Sequence, residues 1–329
     1  MRFSSPTILT LVLLTACAGA KPPEMQHEMC PTAAGYKPPW ISTLDLSSPL
    51  VGQAWDAHTH ALVARDWVET PALPETRFVL LGEKHDNPDH HLLQALALKR
   101  ILGVKRHPAV LFEQIDLDLQ PAIDAYLMQP NATVDGLEPV LEWKKRGWPE
   151  WSLYRPIFEV VMTAHLKILA TGLGHELIRA VVKQGIGALP AELAARLHLE
   201  RPLAPELEAS LDAELEASHC GFLPADKVAP MRLAQRVKDA LMADLMLAHD
   251  TPDGAVLIAG NGHVRSDRGV PWYLHATRPE AHVLSVSFVE VEHGVTEPAA
   301  YAADQPADVL VFTPRLDDDD PCAEFQHPK

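Results

Sequence analysis

The sequence predicts an α/β fold: a mainly parallel sheet flanked by helices, with an inserted helical cap. Three observations carry that prediction. The first is Arg77–Gln94, RFVLLGEKHDNPDHHLLQ, which passes from an apolar run of strand length through a polar turn into a helix start. That is the opening of a β-α-β unit. The second is its recurrence late in the chain, where Ala255–Ala259 runs into Gly260-Asn261-Gly262-His263. The third is the stretch between, residues 189–250, rich in Ala, Leu and Glu and without a strand signal. Two Gly-x-x-His turns therefore each follow a buried-looking strand. In one parallel sheet both would reach the rim at the carboxyl ends of the strands, where ligands of such sheets sit.

The amino terminus lies outside this fold. Arg2 gives a short basic start, Ile8–Leu14 a compact apolar segment, and Leu14-Thr15-Ala16-Cys17 a small-residue cleavage site. The apolar segment is too short for a stable transmembrane helix. Leu-Thr-Ala-Cys resembles the lipobox of bacterial lipoproteins, which implies removal of residues 1–17 up to a lipidated Cys17. With Ala18 after it, the resemblance implies an envelope protein held at the outer membrane by its lipid. Residues 18–40, rich in Pro, Lys and Glu, read as a tether. Without Cys17 three cysteines remain, enough for one disulfide and one free thiol. Cys30 and Cys322, both in Pro-rich terminal segments, are the expected pair.

The α/β domain is expected over 41–188 and 251–313, the helical cap over 189–250 and a loose acidic tail over 314–329. Asp56-Ala-His58-Thr-His60 reads as a surface hairpin with its histidines alternating, His-x-His being also a possible metal pair. Arg77–Leu81 is a strand. Asp86-Asn87-Pro88-Asp89 starts a helix, with a side chain able to cap and Pro tolerated in the first turn. His90-His91 falls inside that helix and reads as a solvated face. Pro108–Phe112 is a second strand, ending in Glu113-Gln114. Asp116–Met128 looks helical, Trp151–Pro156 leads into another helix, and Lys167–Ala170 is a third strand before the Gly172-Leu-Gly174 turn and a helix from His175. After the cap and the strand at Ala255, the apolar runs His282–Val291 and Asp308–Thr313 suit a terminal antiparallel pair.

With 329 residues and 47% hydrophobic composition the chain can bury one large core. Its net charge of -16 argues against nucleic acid or another polyanion as partner. The strand ends gather Glu83, His85, Glu113, Gln114, Asn261 and His263 into one candidate pocket. Two imidazoles and two carboxylates, Glu83, His85, Glu113 and His263, suit general acid and base work on an ester or amide. They also suit a divalent metal held by mixed N and O ligands. No Gly-x-Ser-x-Gly, P-loop, Gly-x-Gly-x-x-Gly or His-Glu-x-x-His is present. His219-Cys220 lacks an orienting third group, and Cys220 reads as a small residue at a tight turn. The aromatic residues suggest another chemistry. A haem needs an apolar slot and an axial donor, Tyr154 and Tyr273 offer hard oxygens, and Lys144, Lys145, Arg146 and Arg265 offer cations for propionates.

Leu80-Leu-Gly-Glu-Lys-His-Asp-Asn-Pro-Asp-His-His91 closely resembles the first motif of the ChaN-like haem-binding lipoproteins. Trp151-Ser-Leu-Tyr-Arg-Pro156, His219-Cys-Gly-Phe-Leu-Pro224 and Ala259-Gly-Asn-Gly-His-Val-Arg-Ser-Asp-Arg-Gly-Val-Pro271 resemble further stretches of that family, in its order. The resemblance implies a membrane-anchored α/β protein of haem and iron uptake, with haem held cofacially at a homodimer interface and a tyrosine on iron. By motif position that role falls on Tyr154, with Tyr273 as the alternative. The wider superfamily, with Tiki-type metalloproteases and erythromycin esterases, implies a hydrolase alternative on His85, His263, Glu83 and Glu113. The sequence departs from the pattern at Thr171-Gly-Leu-Gly-His-Glu176, where relatives tend to carry an Asn-Leu-Pro-Arg-like segment. If this loop lines the pocket, the ligand or its binding mode differs.

Overall fold

The long apolar runs become the centre of an eight-stranded sheet. The computed structural model describes residues 40–63, 76–319 and 322–323, so Cys17, Cys30 and most of the tether lie outside the described residues. The chain opens with the short pair β1 (Ala54–Asp56) and β2 (Ala61–Leu62), then β3 (Phe78–Glu83), α1 (Pro88–Gly103) and β4 (Ala109–Asp116). Four helices follow: α2 (Gln120–Leu127), α3 (Val134–Val140), α4 (Trp143–Arg146) and α5 (Trp151–Thr163). After β5 (Ile168–Gly172) come α6 (Gly174–Gln184), α7 (Ala191–Arg196), α8 (Pro205–Ser218) and α9 (Ala225–Leu247). The chain closes with β6 (Ala255–Gly260), α10 (Asn261–Val264), α11 (Val270–Thr277), β7 (Val283–Glu290), α12 (Pro298–Asp304) and β8 (Val309–Thr313).

The strand order is β2-β1-β8-β7-β3-β6-β4-β5, parallel from β8 to β5 and antiparallel only where β1 joins β8 and β2. The expected antiparallel pairing of the last two runs is thus corrected. β7 and β8 are parallel because α12 lies between them and supplies the crossover that a parallel pair requires. The antiparallel neighbour of β8 is the three-residue β1.

Both faces of the central strands are covered, which is why they are apolar at every position rather than at every second one. The side chains still alternate. Phe78 and Leu80 face α9, while Val79 and Leu81 face α1 and α5. Helix α9 buries Ala234, Val237, Ala240 and Leu241 against Phe78, Leu80, Leu111 and Leu257. The segment read as a cap therefore supplies a main layer of the body, and α8 packs above it through the smaller cluster of Leu203, Leu211 and Leu215.

Cys322 is bonded to Cys220, not to Cys30. The bridge fixes the segment beyond the acidic run to the α8–α9 turn, so the tail is tied at this point. It closes a span of 102 residues. Reduction is expected to remove about 2–4 kcal/mol of stability, read as a fall in the thermal midpoint with dithiothreitol that is absent in a Cys220→Ala, Cys322→Ala double variant.

Candidate functional site

The period-2 alternation of the strands decides which way each rim residue points. Glu83 continues the face of Val79 and Leu81, and Gln114 that of Val110 and Phe112, so both turn toward α1 and α5. Glu113 continues the face of Leu111 and turns toward α9. Strand β6 lies between β3 and β4, with Glu83 level with Gly260. Two polar networks, one on each face of the sheet, therefore meet at the same edge.

The first network is built on the Glu83 carboxylate. Its Oε1 accepts from Tyr154 Oη at 2.6 Å and Gln114 Nε2 at 2.8 Å, and lies 2.9 Å from His85 Nδ1. Its Oε2 lies 3.0 Å from His91 Nδ1. Burial opposes the charge on Glu83, but His91 and His85 outweigh it and hold the carboxyl far below its ordinary range. An ionised carboxylate only accepts, so His85 carries its proton on Nδ1 and, when neutral, has its lone pair on Nε2. Burial pulls the His85 pKa down, and the Glu83 hydrogen bond with the charges of Glu113 and Glu83 more than offsets it, leaving a net rise.

His91 is fully buried and its Nε2 donates to the carbonyl of His85 at 3.0 Å, fixing the turn that presents the imidazole. His90 is equally buried: its Nδ1 accepts from the Lys84 amide at 2.9 Å and its Nε2 lies 3.0 Å from Thr313 Oγ1. The expectation of a solvated face for His90-His91 is thus overturned. The start of α1 is packed against the sheet rim, with Asn87 capping the amides of Asp89 and His90 and Asp89 accepting from the amides of Ile41 and Ser42. Burial and the charge of His91 push His90 down to about 3, so it stays neutral in the fold.

The second network lies under α9. Glu113 accepts from the Gly260 amide at 2.8 Å and from Lys238 Nζ at 3.1 Å, and His263 Nε2 lies 3.0 Å away. His263 Nδ1 lies 2.5 Å from Asp239. With a carboxylate on each nitrogen, His263 is held as imidazolium. Burial works against that charge, but Glu113 and Asp239 overcome it and raise the pKa to about 9. Burial lifts Asp239 above its usual range even against His263, so Glu113, held well below the usual range by His263 and Lys238 against its own burial, is the firmly ionised partner. Both His263 nitrogens are engaged, and the ring bridges the two carboxylates.

Between the networks opens a cleft of about 430 Å³, lined by His85, Glu113, Trp148, the Gly172–His175 loop, Leu215, Met231 and Lys238. A second hollow of about 530 Å³ adjoins it, sharing Arg146, Leu173, Gly174 and His175. The loop that departs from the family pattern thus does line the cleft. It is held by Asp116, which accepts from the Gly174 amide at 2.9 Å and pairs with Arg146, and Gly174 has φ +64, a conformation glycine adopts freely. His85 projects into the cleft with its side chain 40% exposed, its ring edge-on to Trp148 at 5.1 Å. Its Cε1–Nε2 edge lies over Gly260, where a Cβ would come within 3.0–3.1 Å.

The remaining expected residues fall elsewhere. Asn261 donates to the carbonyl of Phe288 and turns toward β7. Tyr154 is fully buried beneath the rim with its hydroxyl on Glu83, and burial and that charge raise its pKa far above the ordinary phenol. Tyr273 lines a separate cavity between α9 and α11 and receives a hydrogen bond from Arg236 at 2.9 Å. Neither tyrosine presents its oxygen to the cleft. Arg265 is buried against Asp267 and also lies outside it, whereas Lys145 and Arg146 line the adjoining hollow and Lys144 is exposed beside them. His58 and His60 are in the β1–β2 hairpin, with His58 on Asp308. Among the described residues no group of three or more His, Cys, Asp or Glu is placed to hold a metal ion. The residues the sequence reading missed are His91 and, on α9, Lys238 and Asp239, which stand among Gln235, Arg236 and Asp244 and carry no sequence signal that sets them apart.

Residues 70–274 match the family model described as haem-binding uptake, Tiki superfamily, ChaN. No curated protein matches the chain. Among solved structures, cofacial haem binding to ChaN of Campylobacter jejuni superposes with TM-score 0.61 at 20% identity, covering 78% of this chain and 95% of that one. At that identity the likeness is one of fold. The type III effector HopBA1 (TM-score 0.43, 12% identity, 75% and 93% covered) and a mutant erythromycin esterase, EreC, in its open conformation (TM-score 0.43, 15% identity, 77% and 94% covered) are more distant.

Proposed function

The chain belongs to the ChaN family of haem-binding uptake proteins in the Tiki superfamily, and from that membership we propose that it binds haem in the rim cleft and serves haem and iron uptake at the cell envelope. The donor set of the cleft is the observation that carries the reading. A bare ion needs several protein ligands at once, and the described residues offer no such group. A haem iron brings its own four nitrogens and needs from the protein a single axial donor with a flat, mostly apolar berth. The cleft has that form: imidazoles at His85 and His175, the first half-buried with its Nε2 unengaged, Trp148, Leu215 and Met231 as walls, and a glycine floor that any Cβ would fill. Bound haem would supply a ferric iron able to take an axial ligand. This chain's residues supply burial, orientation and the donor.

Lipidation at Cys17 and outer-membrane attachment remain part of the proposal, supported by the lipobox at Leu14–Cys17. So does a homodimer. A cleft open on one side covers one porphyrin face, and a second copy would cover the other. Titration of the chain lacking residues 1–17 with ferric haem tests the reading. Saturable binding with a shifted Soret band is expected, weakened in Trp148→Ala and Met231→Glu; an unsaturable, free-haem-like spectrum would overturn it.

One observation favours a hydrolase as the second reading. The Glu83–His85 pair holds a base-competent imidazole against a buried carboxylate, the arrangement that positions a general base. His263 would serve there as a positioning cation. Turnover of an activated ester by the haem-free chain, lost in His85→Ala, would support it.

A further inference from the structure

We propose that the axial donor to haem iron in this chain is His85 Nε2, in place of a tyrosine oxygen. The assignment rests on the reading that the cleft binds haem. Five tyrosines occur in the chain. Of the four among the described residues, Tyr154 and Tyr273 are buried and bonded as above, Tyr301 is buried against Phe312 with its hydroxyl receiving the Glu292 amide, and Tyr126 is bonded to Thr133. None lines the cleft that holds His85. To reach iron there, Tyr154 would leave Glu83, give up its proton and cross the layer formed by His91 and His85, with which its ring and hydroxyl are packed.

His85 meets each requirement of an axial ligand. Its Nδ1 is committed to a buried carboxylate at 2.9 Å. Metal-ligating histidines characteristically donate their other ring nitrogen to such a group, which fixes the tautomer and makes the ligating nitrogen more basic. Its Nε2 has no hydrogen-bond partner among the described residues, and its side chain is the exposed end of an otherwise buried network. The ring cannot swing freely, since Trp148 stands edge-on at one side and the His85 carbonyl is tied to His91. Gly260, with no Cβ, leaves room for the Cε1–Nε2 edge that lies over it; alanine there would meet both atoms at 3.0–3.1 Å, tight enough to displace the ring. The buried Glu83, with three further donors holding it, is what makes one imidazole sufficient.

The test is the electronic absorption and electron paramagnetic resonance of the ferric-haem complex for wild type, His85→Ala, His175→Ala and Tyr154→Phe, with the fold of each variant checked by circular dichroism. Wild type is expected to show an imidazole-ligated spectrum. His85→Ala should lose it and regain it on adding free imidazole, which a merely structural histidine would not allow. Glu83→Gln, which removes the charge behind the ligand, should weaken binding roughly 10–100-fold. Tyr154→Phe should retain the imidazole signature, whatever it does to affinity. A tyrosinate-type charge-transfer band lost in Tyr154→Phe, or a signature unchanged in His85→Ala and lost in His175→Ala, would overturn the assignment while leaving haem binding intact. Absence of saturable binding in wild type would overturn both.

Discussion

Replacing His263 with alanine is expected to cost about 3–5 kcal/mol, the usual consequence of removing one partner from a buried ionic set. His263 is 5% exposed, and its loss leaves the buried carboxylates of Asp239 and Glu113 without the cation between them, with Lys238 on Glu113 remaining. The pH dependence identifies the cause. His263 has a folded pKa of about 9 against an ordinary value of 6.5. A raised pKa in a cationic group stabilises the fold fully below pH 6.5 and loses that contribution as pH climbs through 9. Wild type should therefore weaken in urea between pH 6.5 and 9, and His263→Ala should weaken less steeply there. His85 and His91, also raised, leave some slope behind. A loss within the range of an exposed ion pair, about 1 kcal/mol or less, would show that the rim under α9 is wetter than this packing implies.

Glu83→Ala is expected to be at least as damaging. Gln114 Nε2, Tyr154 Oη and His91 Nδ1 all converge on this carboxylate from buried positions, and alanine removes the shared acceptor, leaving Tyr154 only the long bond to the His85 carbonyl at 3.4 Å and His91 Nδ1 only Gln94 Oε1 at 3.2 Å. An unsatisfied buried donor costs about 1–3 kcal/mol, so orphaning Gln114 and weakening the other two takes a large share of the stability of an ordinary domain, about 5–15 kcal/mol. Glu83→Gln keeps an acceptor of the same reach and should fold with a smaller loss. The comparison is made by soluble yield and thermal midpoint. Equal behaviour of the two variants would mean that the donors find other partners, and that Glu83 does not organise this half of the rim.

Much of the rim was legible because strand ends and turn residues are local signals. The apolar run before Gly82, the polar turn after it and the recurrence at Gly260 are enough to place Glu83, His85, Glu113 and His263 at one edge. Asn87 and Pro88 likewise read as a helix start from cap chemistry alone. What was not legible depended on distant packing. His90 and His91 look like a wet helix face until the rim, Thr313 and the amides of Ile41 and Ser42 close over that turn. Lys238 and Asp239 look like surface charges on α9 until that helix lies across the sheet. The antiparallel edge escaped because β1 is three residues long and pairs with β8, more than two hundred residues away. Cysteine connectivity cannot be read from a sequence with three candidates, and the partner of Cys322 proved to be Cys220. Tyr154 shows the limit of motif position: the residue sits on the expected helix, but the face it occupies points into the core, where its hydroxyl holds Glu83.

The most direct measurement is a structure of the chain with ferric haem bound. A porphyrin is expected in the cleft bounded by Trp148, the Gly172–His175 segment and Met231, with the ring of His85 nearest the iron. A porphyrin seated instead in the cavity between α9 and α11, beside Tyr273, would contradict it.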